Sequence, residues 1–151
     1  MRKYIYFLFT VALLALSAGC SKDDDGPKYP DSGVVGEWHL TEWIDGTHSE
    51  FDVYIEFLSD GKFNSYEKVE TSVYVRRSGN FTIDGTRLSG RYSSGKPWKT
   101  DYAFELSGDG KTLTMTSDTG IAEVSVYTRS AIPEAIRNVP EVRSSLPGGF
   151  L

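Results

Sequence analysis

Residues 51–69 read FDVYIEFLSDGKFNSYEKV, and the alternation within them sets the fold class. Phe51, Val53, Ile55 and Phe57 fall on one face of an extended chain, with Asp52, Tyr54 and Glu56 opposite. Side chains alternate sides along a strand, so this period of two marks a strand over 52–58 with one face buried and one wet. Ser59-Asp60-Gly61-Lys62 then reverses the chain, because Asp-Gly tolerates the positive φ of a tight hairpin. Phe63 to Val69 returns as the next strand.

The same device repeats in both directions. Upstream, Val34 to Leu40 places Val34, Trp38 and Leu40 on one side. Downstream, Val73 to Ile83 is a long strand, and Asp84-Gly85 turns it into Arg87 to Tyr92. After a longer loop, Tyr102, Phe104 and Leu106 alternate with Ala103 and Glu105. Gly108-Asp109-Gly110 turns into Thr112 to Thr116, and Ile121 to Arg129 is the last strand. Eight such strands predict an all-β, antiparallel chain. A hairpin meander closes most simply on itself as an up-and-down barrel, which also removes exposed sheet edges. Ser130 to Arg137 is expected to form a short C-terminal helical turn before a tail containing Pro and Gly.

Gly36-Glu37-Trp38 opens the first strand and Arg129 ends the last. With the hairpins FLSDGKF, GNFTIDGTRL and LSGDGKTLTM, these residues resemble a lipocalin-like domain of the calycin group over Val34 to Arg129. The resemblance implies an eight-stranded barrel closed at one end by Gly36, Trp38 and Arg129. A desolvated guanidinium over the indole would gain about 1–2 kcal/mol. It also implies a small apolar ligand in the open end. The disulfides and further motifs of the family's secreted animal members are absent from this chain.

By parity, Phe51, Val53, Ile55, Phe57, Phe81, Tyr102, Phe104, Leu113 and Met115 line the barrel interior. The parity that turns Val73, Val75, Phe81 and Ile83 inward turns Arg77 inward too. An unpaired guanidinium in an apolar barrel is costly, so Arg77 needs a carboxylate of the chain or a ligand with an acidic head, such as a fatty acid. A bulge near Gly79 would instead shift the parity and send Arg77 to solvent. The expected function is binding of a small apolar ligand. The alternative is a barrel filled by its own side chains, acting as an envelope structural or protein-interaction module with outward Trp43, Tyr54 and the tail as contacts.

The beginning of the sequence places the protein. Arg2 and Lys3 precede an apolar run from Tyr4 to Leu16, and Ser17-Ala18-Gly19 leads into Cys20, the single cysteine. The run falls short of the about 20 apolar residues of a lasting transmembrane helix and has the flanks of a secretory signal. It resembles a bacterial lipobox, in which lipoprotein signal peptidase cleaves before a cysteine that carries acyl chains. Ser17 stands where Leu is usual. Asp23, Asp24 and Asp25 resemble the acidic surface-export signals of some Gram-negative lipoproteins, although a solvated spacer has the same composition. The expected organisation is a signal peptide over 1–19, a lipid anchor and acidic tether over 20–33, the barrel over 34–130 and a tail over 131–151. The expected location is the outer membrane, anchored through Cys20 and facing the cell surface. The oligomeric state is left open.

No enzymatic chemistry is expected. Gly90 to Pro97 nearly spells a phosphate-binding loop, but Pro97 lacks the hydroxyl and the context is a hairpin. His39 points outward and His48 lies in a loop. Asp52 and Glu56, like Asp101 and Glu105, share the solvated face of a strand. No carboxylate–histidine spacing suggests a metal, and no cofactor is expected. A net charge of −5 with no basic segment argues against nucleic acid.

Overall fold

The computed structural model describes residues 28–29, 32–44, 50–120, 122–142 and 149–151. Cys20, Asp23, Asp24, Asp25, His48 and Ile121 lie outside the described residues. The strands are β1 (Gly36–Ile44), β2 (Phe51–Phe57), β3 (Lys62–Val69), β4 (Val75–Asp84), β5 (Arg87–Tyr92), β6 (Tyr102–Leu106), β7 (Thr112–Ser117) and β8 (Val124–Arg129), followed by the helix α1 (Glu134–Arg137). They form a closed barrel in sequence order, with β8 returning antiparallel to β1. This is the expected meander, including its helical turn. Some boundaries differ. β4 begins at Val75, and Val73, expected to point inward, is 61% exposed in the preceding connection.

The hairpin of β2 and β3 shows how the pattern becomes a wall. The two strands pair from Phe51↔Val69 to Phe57↔Phe63, and Gly61 takes a φ of +80° in the turn. Val53, Ile55, Phe57 and Phe63 are thereby buried together with Leu40, Phe81, Leu88, Leu113 and Met115. Burying each such side chain contributes about 1.5–3 kcal/mol over leaving it exposed.

Two outward contacts expected from parity are corrected. In β1 the partners step from Leu40↔Tyr127 to Glu42↔Val126, so Thr41 is the extra residue of a β-bulge. The bulge resets the alternation. Glu42 and Ile44 become exposed while Trp43 packs against the core, edge-on to Phe51 at 5.9 Å and to Phe150 at 4.7 Å. Tyr54 does stand on the outer face, but it is buried there with Tyr66 and Ile132 under the segment carrying α1. Arg137 of α1 bridges Glu37 at 2.7 Å and Glu56 at 3.1 Å, and the Ile132 N–H donates to Glu37 at 2.6 Å. Glu56 therefore anchors the helix instead of lying on a solvated face. Asp52 is likewise engaged, 2.8 Å from His39 Nε2 and accepting a bond from the Tyr74 hydroxyl.

β5 and β6 meet only at Arg87↔Ala103 and Leu88↔Tyr102. Beyond that point the connection folds back on β5, where Arg91 bridges to Pro97 and the Trp98 N–H donates to the Gly90 carbonyl at 2.9 Å. The Trp98 ring is buried over Gly90, where a Cβ would lie 2.3 Å from it, and packs edge-on to Phe63 at 5.2 Å. The stretch resembling a phosphate-binding loop thus seats an indole.

Candidate functional site

The barrel has a closed and an open end. At the closed end Trp38 is fully buried and its Nε1–H donates to the Val34 carbonyl at 2.7 Å. Arg129 lies over it, with Cζ 4.2 Å from the ring centroid. All three of its nitrogens are used: Nε donates to Gly110 at 3.0 Å, Nη1 to Val35 at 3.1 Å and Nη2 to Gly33 at 2.7 Å. Gly36 has a φ of +136°, and a Cβ there would lie 2.2 Å from Arg129 Nη1. The glycine is what lets the guanidinium cross. Arg129 remains exposed, so its contact with the indole is worth about 0.5–1 kcal/mol, less than a desolvated pair would give. Tyr29 adds to this end by packing its ring, tilted, against Phe81 at 5.3 Å and accepting the Ile83 N–H at 3.1 Å.

Towards the open end the interior becomes polar. Arg77 is inside and only 9% exposed. The alternation runs through Gly79 without interruption, since Gly79 pairs in register with Phe63 on one side and Tyr92 on the other. The glycine marks close approach, not a bulge: a Cβ would lie 2.1 Å from the Arg91 carbonyl and 2.7 Å from the Phe63 ring. The chain supplies the anion that Arg77 needs. Its Nε bonds Glu67 Oε2 at 3.2 Å, and the Ser65 hydroxyl donates to Glu67 Oε1 at 2.6 Å. The Tyr92 ring lies 6.0 Å from the guanidinium, and its hydroxyl donates to the Leu151 carbonyl at 2.8 Å. Burial drives the Tyr92, Tyr102 and Tyr127 phenols far above their ordinary value of 10, so they stay neutral. A pocket of about 80 Å³ opens here, lined by Arg77, Ser78, Tyr92, Lys96, Lys99 and Leu151 among others.

The profile of the lipocalin-like domain family matches residues 34–115, more than half of the chain. The chain belongs to this family. Among solved structures, this lipocalin-like domain is similar to the REP1-NXSQ fatty acid transporter, with 9% identity over 68% of this chain and 99% of that one, at a TM-score of 0.42. It is also similar to a point mutant of the fluorescent protein UnaG, with 14% identity over 67% and 99% of the two chains, at a TM-score of 0.41. No curated protein matches.

Of the interior positions expected in this lipocalin-like domain, Val53, Ile55, Phe57, Arg77, Phe81, Tyr102, Phe104, Leu113 and Met115 are buried, and Phe51 is half-buried at the open rim. Parity missed Glu67, Tyr92, Trp98, Phe150 and Leu151. Glu67 was within its reach, because it shares the face of Phe63 in β3. Trp98 and the tail residues lie outside the strands, where alternation has nothing to say. Among the described residues no cluster of His, Cys, Asp or Glu could hold a metal ion, and no helix is long and apolar enough to cross a membrane. The polar groups of the open end can donate hydrogen bonds and present positive charge to a guest.

Proposed function

We propose that this lipocalin-like domain is a binding module for small molecules with an apolar body and an anionic head, held to the outer membrane by acyl chains on Cys20 and facing the cell surface. The observation that carries the ligand reading is the pocket at the open end. Arg77, Lys96 and Lys99 converge there with the Tyr92 phenol, in a chain whose net charge is −5. Glu67 offsets the charge of Arg77, so the lysines supply the excess positive charge. Tyr92, whose one proton now goes to the Leu151 carbonyl, is a neutral donor for a guest that takes the place of that carbonyl. At about 80 Å³ the pocket fits a head group, whereas pockets for drug-sized ligands run to roughly 300–1,000 Å³. The apolar body must therefore enter space now held by side chains.

The test is a titration of the full chain with an environment-sensitive fluorescent fatty acid, with and without Lys96→Gln and Lys99→Gln together. Saturable binding weakened about three- to tenfold in the double variant is expected, the size of two exposed charge contacts. An absence of binding by the folded wild type would overturn the reading. It would favour the filled barrel as an envelope structural or interaction module, a role to which the densely packed interior is also suited.

A further inference from the structure

We infer that the tail segment Gly149–Leu151 is a built-in occupant of the ligand site, and that tail and ligand exclude one another. The inference rests on the binding reading above. Phe150 and Leu151 are 8% and 1% exposed and belong to the main core cluster, although among the described residues neither joins a strand ladder. Phe150 lies edge-on to Trp43 at 4.7 Å, just inside the open rim. The Leu151 carbonyl takes the hydrogen bond of Tyr92 at 2.8 Å, beside the pocket that Arg77 and Tyr92 line. The tail thus presents what the proposed ligand presents, an apolar body followed by an oxygen acceptor.

The approach is close. A Cβ on Gly149 would lie 2.0 Å from the Tyr92 hydroxyl oxygen and 2.4 Å from Tyr92 Cζ, so only glycine lets the backbone pass over the phenol. The seat is therefore shaped to this segment. It is also reversible in kind. Burial of two apolar side chains favours the seated tail, and ordering of the backbone and side chains opposes it. Strand residues such as Phe57 or Leu113 are held by their ladders as well, and the tail is not. A guest that binds only the vacated site shifts this equilibrium by its differential affinity.

The apparent affinity of such a site is its intrinsic affinity multiplied by the fraction of molecules with the tail out. If that fraction is about 1–10%, removing the tail's hold tightens binding about 10- to 100-fold. The experiment follows the Leu151 methyl resonances of the full chain, assigned from a Leu151→Ile variant, while dodecanoate is added. The fluorescent fatty acid is titrated in parallel into wild type, Phe150→Asp and Gly149→Ala, each first shown to be folded by circular dichroism. The inference expects Leu151 methyls displaced by aromatic rings before dodecanoate and at free values after it, with tighter probe binding by both variants. Probe binding at one affinity throughout, with Leu151 still seated, would overturn the inference and leave the ligand reading intact. Leu151 methyls at free values without dodecanoate would do the same. Binding by none of the three proteins would overturn both, making the tail a permanent part of the core.

Discussion

The Arg129 guanidinium stands 4.2 Å over the Trp38 ring and occupies the space in which Gly36 would carry a Cβ. Sequence-distant residues therefore close one end of the barrel as a unit. Trp38→Ala is expected to cost about 3–5 kcal/mol, read from urea unfolding. Gly36→Ala adds strain at its positive φ, about 1–3 kcal/mol, and must also push the guanidinium aside. In the background of Arg129→Ala that second cost disappears, so the two substitutions should combine non-additively. A Trp38→Ala protein melting at the wild-type temperature would contradict this account.

The pair of Arg77 and Glu67 makes a prediction of opposite shape. Removing one partner leaves a buried charge uncompensated, so Glu67→Gln or Arg77→Met alone should cost about 3–5 kcal/mol. Replacing both, as Glu67→Leu with Arg77→Met, should cost less than either single change. Equal and small effects from all three proteins would mean that the pair is wet.

Glu37 couples the docking of α1 to pH. Burial works to raise its pKa, but the Ile132 N–H and Arg137 outweigh burial and leave it below the ordinary value of 4.5. A depressed carboxylate pKa gives stability that is present above the unfolded value and lost as pH falls through the folded one. Below about pH 4.5 the segment carrying Ile132 should loosen from Tyr54 and Tyr66. Amide exchange at Ile132 and Ile136 would report it, and Glu37→Gln should remove the pH dependence of that step. Exchange in wild type that stays flat across this range would refute the assignment.

Gly90 should be intolerant for a reason visible only in three dimensions. A methyl there meets the Trp98 ring at 2.3 Å, so Gly90→Ala should cost about 1–3 kcal/mol by overpacking. It should also red-shift tryptophan emission as Trp98 is displaced. Unchanged emission and stability would mean that the ring is not seated there.

The membrane proposal has its own test. Cys20→Ala should abolish metabolic labelling by a palmitate analogue, and labelling that survives would end the proposal. Replacing Asp23, Asp24 and Asp25 with Ala should keep the label but reduce cleavage by external protease. Unchanged cleavage would make the acids a spacer.

The alternation of 51–69 was enough to orient β2, because Phe51, Val53, Ile55 and Phe57 are all apolar. Asp60-Gly61 with Phe63 carried that register into β3, whose inward face also holds Ser65 and Glu67. Arg77 was legible for the same reason, since parity survives Gly79. The rule failed where the backbone departs from regularity without a sequence marker. Nothing about Thr41 announces the bulge that turns Trp43 inward. Tyr54 was placed on the correct face, but whether an outer face is wet depends on α1 and Ile132, which are distant in sequence. Trp98, Phe150 and Leu151 enter the interior from outside the ladders, and no periodicity points to them.

The meeting of β5 and β6 at two residue pairs gives the barrel an uneven circumference. Opening this line releases the pairs of Arg87 and Leu88, the Phe104 N–H bond to the Thr86 carbonyl and the exposed Arg87–Asp101 ion pair, and disturbs one indole. Parting β2 from β3 instead breaks the ladder from Phe51↔Val69 to Phe57↔Phe63. Stretches with few pairings open by local fluctuation at the lowest cost. Amide protons between β5 and β6 should therefore exchange first, while those between β2 and β3 wait for global unfolding. In mechanical terms the wall is a rolled sheet fastened along one narrow clasp, and it comes apart by unrolling.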